Sequence, residues 1–149
     1  MLFSFIKNHK NQDAINEHLG SFQSLFSENQ KKAIMVSLFL IANSDREFHE
    51  KEVQFFEYTA SILNYKLHND LNFIINEFRT LDRNELFRHL ASLEESQKDW
   101  YIITVFGMLH ADGKILKEEF QYVEVFFSKM NITEQRFEKV LKDYQLLME

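Results

Sequence analysis

A chain of 149 residues is long enough for one domain with one sizeable core, and a second independent core is not expected. Its hydrophobic content of 45 %, with 16 phenylalanines, excludes global disorder; the lack of any cysteine excludes disulfides, thiolate zinc sites, iron–sulfur clusters and cysteine nucleophiles, and makes the cytoplasm the expected compartment. The net charge of −6, with lysines and arginines scattered along the chain, excludes a nucleic-acid backbone as main partner and suits cationic partners or metal ions better.

With three glycines and no proline the chain has few helix breakers, so an all-α fold is expected. Residues 1–27 should hold one or two short helices carrying Ile15, Leu19, Phe22 and Phe26. The opening Met1-Leu2-Phe3-Ser4-Phe5-Ile6-Lys7 places its basic residue after the apolar run, which makes a poor signal peptide. A helix docked on its own core is the favoured reading there, ahead of a membrane-surface or partner-binding anchor. No run approaches the roughly 18 to 20 apolar residues of a membrane span.

Ser27-x-x-Gln30 reads as a capping box in front of a helix whose Ile34, Leu38, Ile41 and Ala42 recur at spacings of three and four. A second helix carries Val53, Phe56, Ala60 and Leu63, and a third Leu71, Ile74, Ile75 and Phe78. Asp82-x-x-Glu85 caps a connecting helix with Leu86, Phe87 and Leu90 on one face. Three more helices follow: one opened by Ser92-x-x-Glu95 as capping box and carrying Tyr101, Val105, Met108 and Leu109, one with Phe120, Val123, Phe127 and Met130, and one with Phe137, Val140, Leu141 and Tyr144. The total expected is seven to nine helices.

The chain also repeats itself. Glu28 to Tyr65 aligns without gaps against Glu95 to Ile132, with ten identities in 38 positions. These are Glu28, Gln30, Lys31, Phe39, Asp45, Glu52, Gln54, Glu57, Ser61 and Asn64, each with its counterpart. After a one-residue shift the third helices correspond too. The expected architecture is therefore one domain over 1–149: two three-helix units, about 28–78 and 95–144, packed about a pseudo-two-fold axis, with 1–27 as N-terminal helices and 79–94 as connector.

The most constrained segment of each unit lies between its first and second helices, where Asp45 precedes Glu52 and Asp112 precedes Glu119 by seven residues. A short loop between antiparallel helices would bring each Asp beside its Glu. Such a pair can hold a backbone turn through loop amides and the helix dipole, or it can chelate a hard cation. Asp at a helix C-terminus faces the negative end of the dipole and needs compensation from amides or a cation. A standard EF-hand does not fit: with Gly113 and Glu119 in register, its first and third ligand positions fall on Met108 and His110, and the first copy has Ile41 and Arg46 where a ligand and the glycine belong.

His110-Ala111-Asp112-Gly113-Lys114-Ile115-Leu116-Lys117-Glu118-Glu119, with its degenerate copy from Asn43 to Glu52, resembles the TerB family of tellurite-resistance proteins and TerB-like domains over about Glu28 to Tyr144. The resemblance implies an all-helical fold with two related halves, no enzymatic activity, and an acidic surface that binds metal ions or partner proteins, often in stress-response or membrane-associated assemblies. On that basis Asp45, Glu52, Asp112 and Glu119 are candidate site residues. Family members often open the second helix with Ser-Pro; here those positions are His49-Glu50 and Leu116-Lys117.

Other residues have a plainer reading. His49 and His110 are candidate ligands for a softer metal, with a helix C-terminus the plainer reading of His110, and Trp100 suits a core. Of the adjacent pairs Phe55-Phe56 and Phe126-Phe127, one ring each should point partly away from the core face and could form an aromatic patch for a partner or a second copy. The leading expectation is a non-catalytic cytoplasmic adaptor that binds an unidentified protein through its acidic loops, as monomer or homodimer, with peripheral membrane association left open. A divalent-cation binder or sensor comes second, and a hydrolytic enzyme third.

Overall fold

The computed structural model describes residues 26–43, 50–111 and 117–143; the expected N-terminal helices and Tyr144 fall outside them. The described residues form an all-helical bundle of seven helices: α1 Glu28–Ala42, α2 Glu50–Leu63, α3 Leu71–Arg79, α4 Arg83–Ala91, α5 Glu95–His110, α6 Lys117–Lys129 and α7 Glu134–Asp143. None of these helices is long and apolar enough to cross a membrane.

Helices α1 and α5 form the centre. In α1 every residue from Ala33 to Ala42 is buried, and in α5 every residue from Trp100 to Leu109. The stripe at spacings of three and four is thus only part of the buried surface, because a helix apolar on all sides must be covered on all sides. Helix α1 packs against α2, α3, α4, α5 and α6, while α5 packs against α1, α2, α6 and α7.

Aromatic rings hold the outer helices to this centre. Phe78 of α3 meets Phe39 of α1 edge-on at 6.0 Å and Phe56 of α2 at 6.3 Å. Phe127 of α6 likewise meets Tyr101 of α5 at 6.4 Å and Phe137 of α7 at 5.1 Å. Edge-to-face pairs contribute about 0.5–1.5 kcal/mol beyond the area they bury. Both members of each phenylalanine pair are buried, which corrects the expectation of an outward ring. Phe126 is taken up by α4, where the Phe87 ring lies 5.5 Å away, and Lys129 Nζ sits over that same Phe87 ring at 5.4 Å.

Local signals fix the helix ends. Ser27 Oγ accepts from Gln30 N–H at 3.1 Å while Gln30 Oε1 accepts from Ser27 N–H at 2.9 Å, the expected capping box. Asp82 caps α4 by accepting from the amides of Asn84 and Glu85. The box at Ser92-x-x-Glu95 does not form. Ser92 closes α4 instead, its hydroxyl donating to His89 O, and α5 begins after Glu94, whose N–H donates to Gln97 Oε1 at 2.8 Å. Glu94 and Gln97 are the counterparts of Ser27 and Gln30 in the register of the repeat.

Helices α2 and α6 end alike. Asn64 and Asn131 adopt φ of +53° and +59°. Tyr65 N–H donates to Ala60 O and Asn64 N–H to Ser61 O; Ile132 N–H donates to Phe127 O and Asn131 N–H to Ser128 O. These are Schellman closures, with asparagine as the left-handed residue at which only glycine is freer.

One polar link crosses the centre. Tyr101 Oη donates to Ser37 Oγ at 2.8 Å, and Ser37 Oγ donates to Ile34 O at 2.7 Å. Burial pushes the Tyr101 hydroxyl far above the ordinary tyrosine value, with the Ser37 hydrogen bond pulling the other way. Its folded pKa is raised, so its contribution to stability is complete below about pH 10 and falls as pH rises past that value.

Tyr101→Phe should therefore cost about 1 kcal/mol at neutral pH and flatten the alkaline loss of stability, both read from urea midpoints across the pH range. Asn131→Ala should destabilise by about 1 kcal/mol through the left-handed backbone, whereas Asn131→Gly should be neutral or stabilising; thermal melts of the two variants distinguish them.

Candidate functional site

The structure describes two of the four candidate acidic residues. Glu52 and Glu119 occupy the first turns of α2 and α6 and are only 1 % and 3 % exposed. Asp45 and Asp112, together with His49 and Gly113, lie outside the described residues. The two glutamates hold matching positions in the two units, beside the central helices, and neither lacks a partner.

A buried carboxylate costs several kcal/mol unless it is hydrogen-bonded or paired. A first-turn position helps, because the free amides and positive dipole end of the helix favour negative charge. The surface at these helix starts is given by their neighbours: Glu50 and Lys51 on α2, and Lys117 and Glu118 on α6, are exposed. The glutamates therefore anchor the starts of α2 and α6 from the inside. Among the described residues, no group of three or more His, Asp or Glu side chains is gathered to hold a metal ion.

His110 ends α5 half-buried, with its ring 6.1 Å from that of Phe106 one turn back. Trp100 is buried and packs against Phe26 at 5.2 Å, a core role. Ser37 and Thr104, a further matching pair of the repeat, turn their hydroxyls to helix carbonyls, Thr104 to Trp100 O at 2.8 Å.

The gap-free register of the sequence repeat breaks between its second and third helices. Helix α7 begins three residues after Asn131, and its Arg136 donates to Asp99 Oδ1 at 2.8 Å, to Glu95 O at 2.8 Å and to the Glu95 carboxylate. Helix α3 begins seven residues after Asn64, and residues 65–70 run as an irregular strap. On either side of the strap is a groove. One, of about 290 Å³, is lined by Tyr65, Phe73 and Glu77 among others; the second, of about 270 Å³, by Val53, Phe56 and Glu57. Leu67, His68 and Ile74 line both.

The strap is locally ordered. His68 Nδ1 accepts from Asp70 N–H at 3.0 Å, Asp70 caps α3 by accepting from Asn72 N–H at 2.9 Å, and the His68 ring stacks on Phe73 at 4.2 Å. Phe73 is nevertheless 49 % exposed. Burial raises the Tyr65 pKa above its usual value, and the charges of Glu77 and Glu28 raise it further. Sequence reasoning missed these groove residues; the signal available was the one-residue break in the repeat between Tyr65 and Leu71.

No family model, curated protein or solved structure matches the chain. The geometry of its own residues therefore carries the functional reading.

Glu119→Ala and Glu52→Ala should each destabilise by about 2–3 kcal/mol, because the partners of a buried carboxylate are stranded, while the Gln variants should cost less; chemical denaturation of the four variants measures this.

Proposed function

We propose that the chain is a non-catalytic cytoplasmic interaction protein, a TerB-like scaffold of two three-helix units about a pseudo-two-fold axis, whose acidic connections around Asp45 and Asp112 engage a protein partner. The observation that carries this reading is what the two units share. Matching positions of the repeat keep the helix-start bonds of Gln30 and Gln97, the buried Glu52 and Glu119, and the Schellman closures at Asn64 and Asn131. Each of these residues serves the frame, so the duplication preserves a support for its connections. The surface that the frame presents is free to differ between units, which suits binding better than a reaction that needs one fixed constellation.

The lack of cysteine supports the cytoplasmic placement. A stress-response role rests on the resemblance alone.

A divalent-cation binder or sensor is the second reading, favoured by the recurrence of an Asp seven residues before a buried, anchored Glu in both units. Hard cations prefer such oxygen donors.

Calorimetric titration with calcium, manganese and zinc, on the parent and on Asp45→Asn/Asp112→Asn, separates the two. The adaptor reading expects no saturable heat and a stoichiometric co-purifying protein that is lost on Asp45→Lys/Asp112→Lys. Saturable heat that disappears in the double Asn variant would replace it with the sensor reading.

A further inference from the structure

Helix α6 carries an open face whose residues are spaced alike in both directions. Glu118, Tyr122, Val125 and Lys129 follow one another by four, three and four positions, which on a helix of 3.6 residues per turn gathers them into one stripe about 60° wide. All four are exposed. Tyr122 and Val125, at 44 % and 50 %, are two of the four large hydrophobic side chains left open to solvent among the described residues. Uncharged Gln121 and Ser128 border the stripe on one side, and on the other the helix turns into the core through Phe126.

Opposite charges stand at the two ends of the stripe, each at the helix end whose dipole favours it. Glu118 makes no ion pair with any described residue. The Lys129 ammonium lies 5.4 Å over the Phe87 ring, which attracts it through the ring quadrupole but supplies no countercharge, and no described carboxylate pairs with it. The matching stripe of α2 is different. It reads Lys51, Phe55, Tyr58 and Ile62, with no charge at its far end, Phe55 buried and Ile62 half-buried. The open stripe with a charge of each sign at its ends is thus a feature of α6 and not of its counterpart.

We propose that this face of α6 is the contact between two copies of the chain, paired antiparallel about a two-fold axis that crosses the helix between Val123 and Glu124. In that register Tyr122 packs on the partner's Val125 and Glu118 meets the partner's Lys129, and the symmetry makes each contact twice. The charges also fix the direction, because a parallel pair would set glutamate against glutamate and lysine against lysine. One helix face buries less than the about 1,200–2,000 Å² of stable complexes, so the dimer depends on concentration, with a midpoint on the order of 100 µM. This contact is separate from the acidic connections and from whatever they engage.

Sedimentation velocity of the full chain across a series from about 10 µM to 1 mM tests the pairing. The expected result is a shift from monomer to dimer along the series, weakened about tenfold or more by Tyr122→Ser, while Tyr58→Ser, at an exposed aromatic on α2, behaves as the parent does. Glu118→Lys and Lys129→Glu should each weaken the dimer about tenfold, since each sets like charges together twice. Combining the two in one chain should restore the homodimer to within about threefold of the parent, and mixing the two single variants should give a heterodimer, because opposite charges then face each other again. Thermal melts check that all five variants fold. A chain that stays monomeric throughout the series overturns the proposal, as does a dimer indifferent to Tyr122→Ser. Charge reversals that neither the double variant nor the mixture rescues overturn it as well.

Discussion

The constraint on which the rest of this structure depends is that α1 and α5 are apolar on every side. A helix with one apolar stripe needs one neighbour. A helix buried all round, as from Ile34 to Ile41 and from Tyr101 to Leu109, needs a sheath. That requirement explains the placement of the outer helices: Phe78 and Phe127 bring rings onto the centre, and Phe137 packs on Phe127 in turn. It also explains why both phenylalanines of each adjacent pair are buried. An outer helix wedged between a central helix and another neighbour has two inward faces, so Phe127 turns to Tyr101 and Phe126 to Phe87.

A centre this apolar makes its few polar groups expensive, and they are handled in two ways. Hydroxyls are turned back on the helix that carries them: Ser37, Thr59 and Thr104 all donate to a carbonyl one turn earlier, whereas Tyr101 reaches across to the other central helix. Carboxylates are kept to helix starts, where Glu52 and Glu119 sit close to the positive end of a dipole. Their burial ties the beginning of each second helix to the centre, so the connection leading into it inherits a fixed end point. That is a mechanical role, and it holds whether the connection itself binds a cation, a protein or nothing.

Much of the frame was legible in the sequence because it is written in short-range terms. The spacings of Ile34, Leu38 and Ile41 give the helix, Ser27-x-x-Gln30 gives its start, and Asp82 gives the start of α4. The misplaced box at Ser92 shows the limit of such signals. Here serine closes a helix, with its hydroxyl on the carbonyl of His89, and Glu94 with Gln97 opens the next. The identities at Ser61 and Asn64 were visible as a repeat, but their meaning was not. An asparagine followed by an apolar residue becomes a Schellman closure only when the chain must reverse direction there, which depends on what it packs against next. Of the candidate site, the glutamates were found by recurrence; that they face inward follows from the all-round burial of the centre, which a count of apolar residues on one stripe understates.

The divergence at the strap follows from the same physics. After an identical Schellman closure, the second unit continues at once into α7, because Arg136 finds Asp99 and Glu95 waiting on α5 and its first turn is thereby held. In the first unit the residue at the corresponding helix position, Asp70, cannot make that bond and instead caps α3 by accepting from Asn72 N–H. Asp70 stands one residue before α3 whereas Arg136 stands inside α7, so residues 68–70 run outside a helix where 134–136 run inside one. Phe73 is left half in solvent. The two copies thus differ in both members of this pair, Arg136 and Asp99 against Asp70 and Lys32, and beside the first lies a groove with an aromatic wall at Phe73.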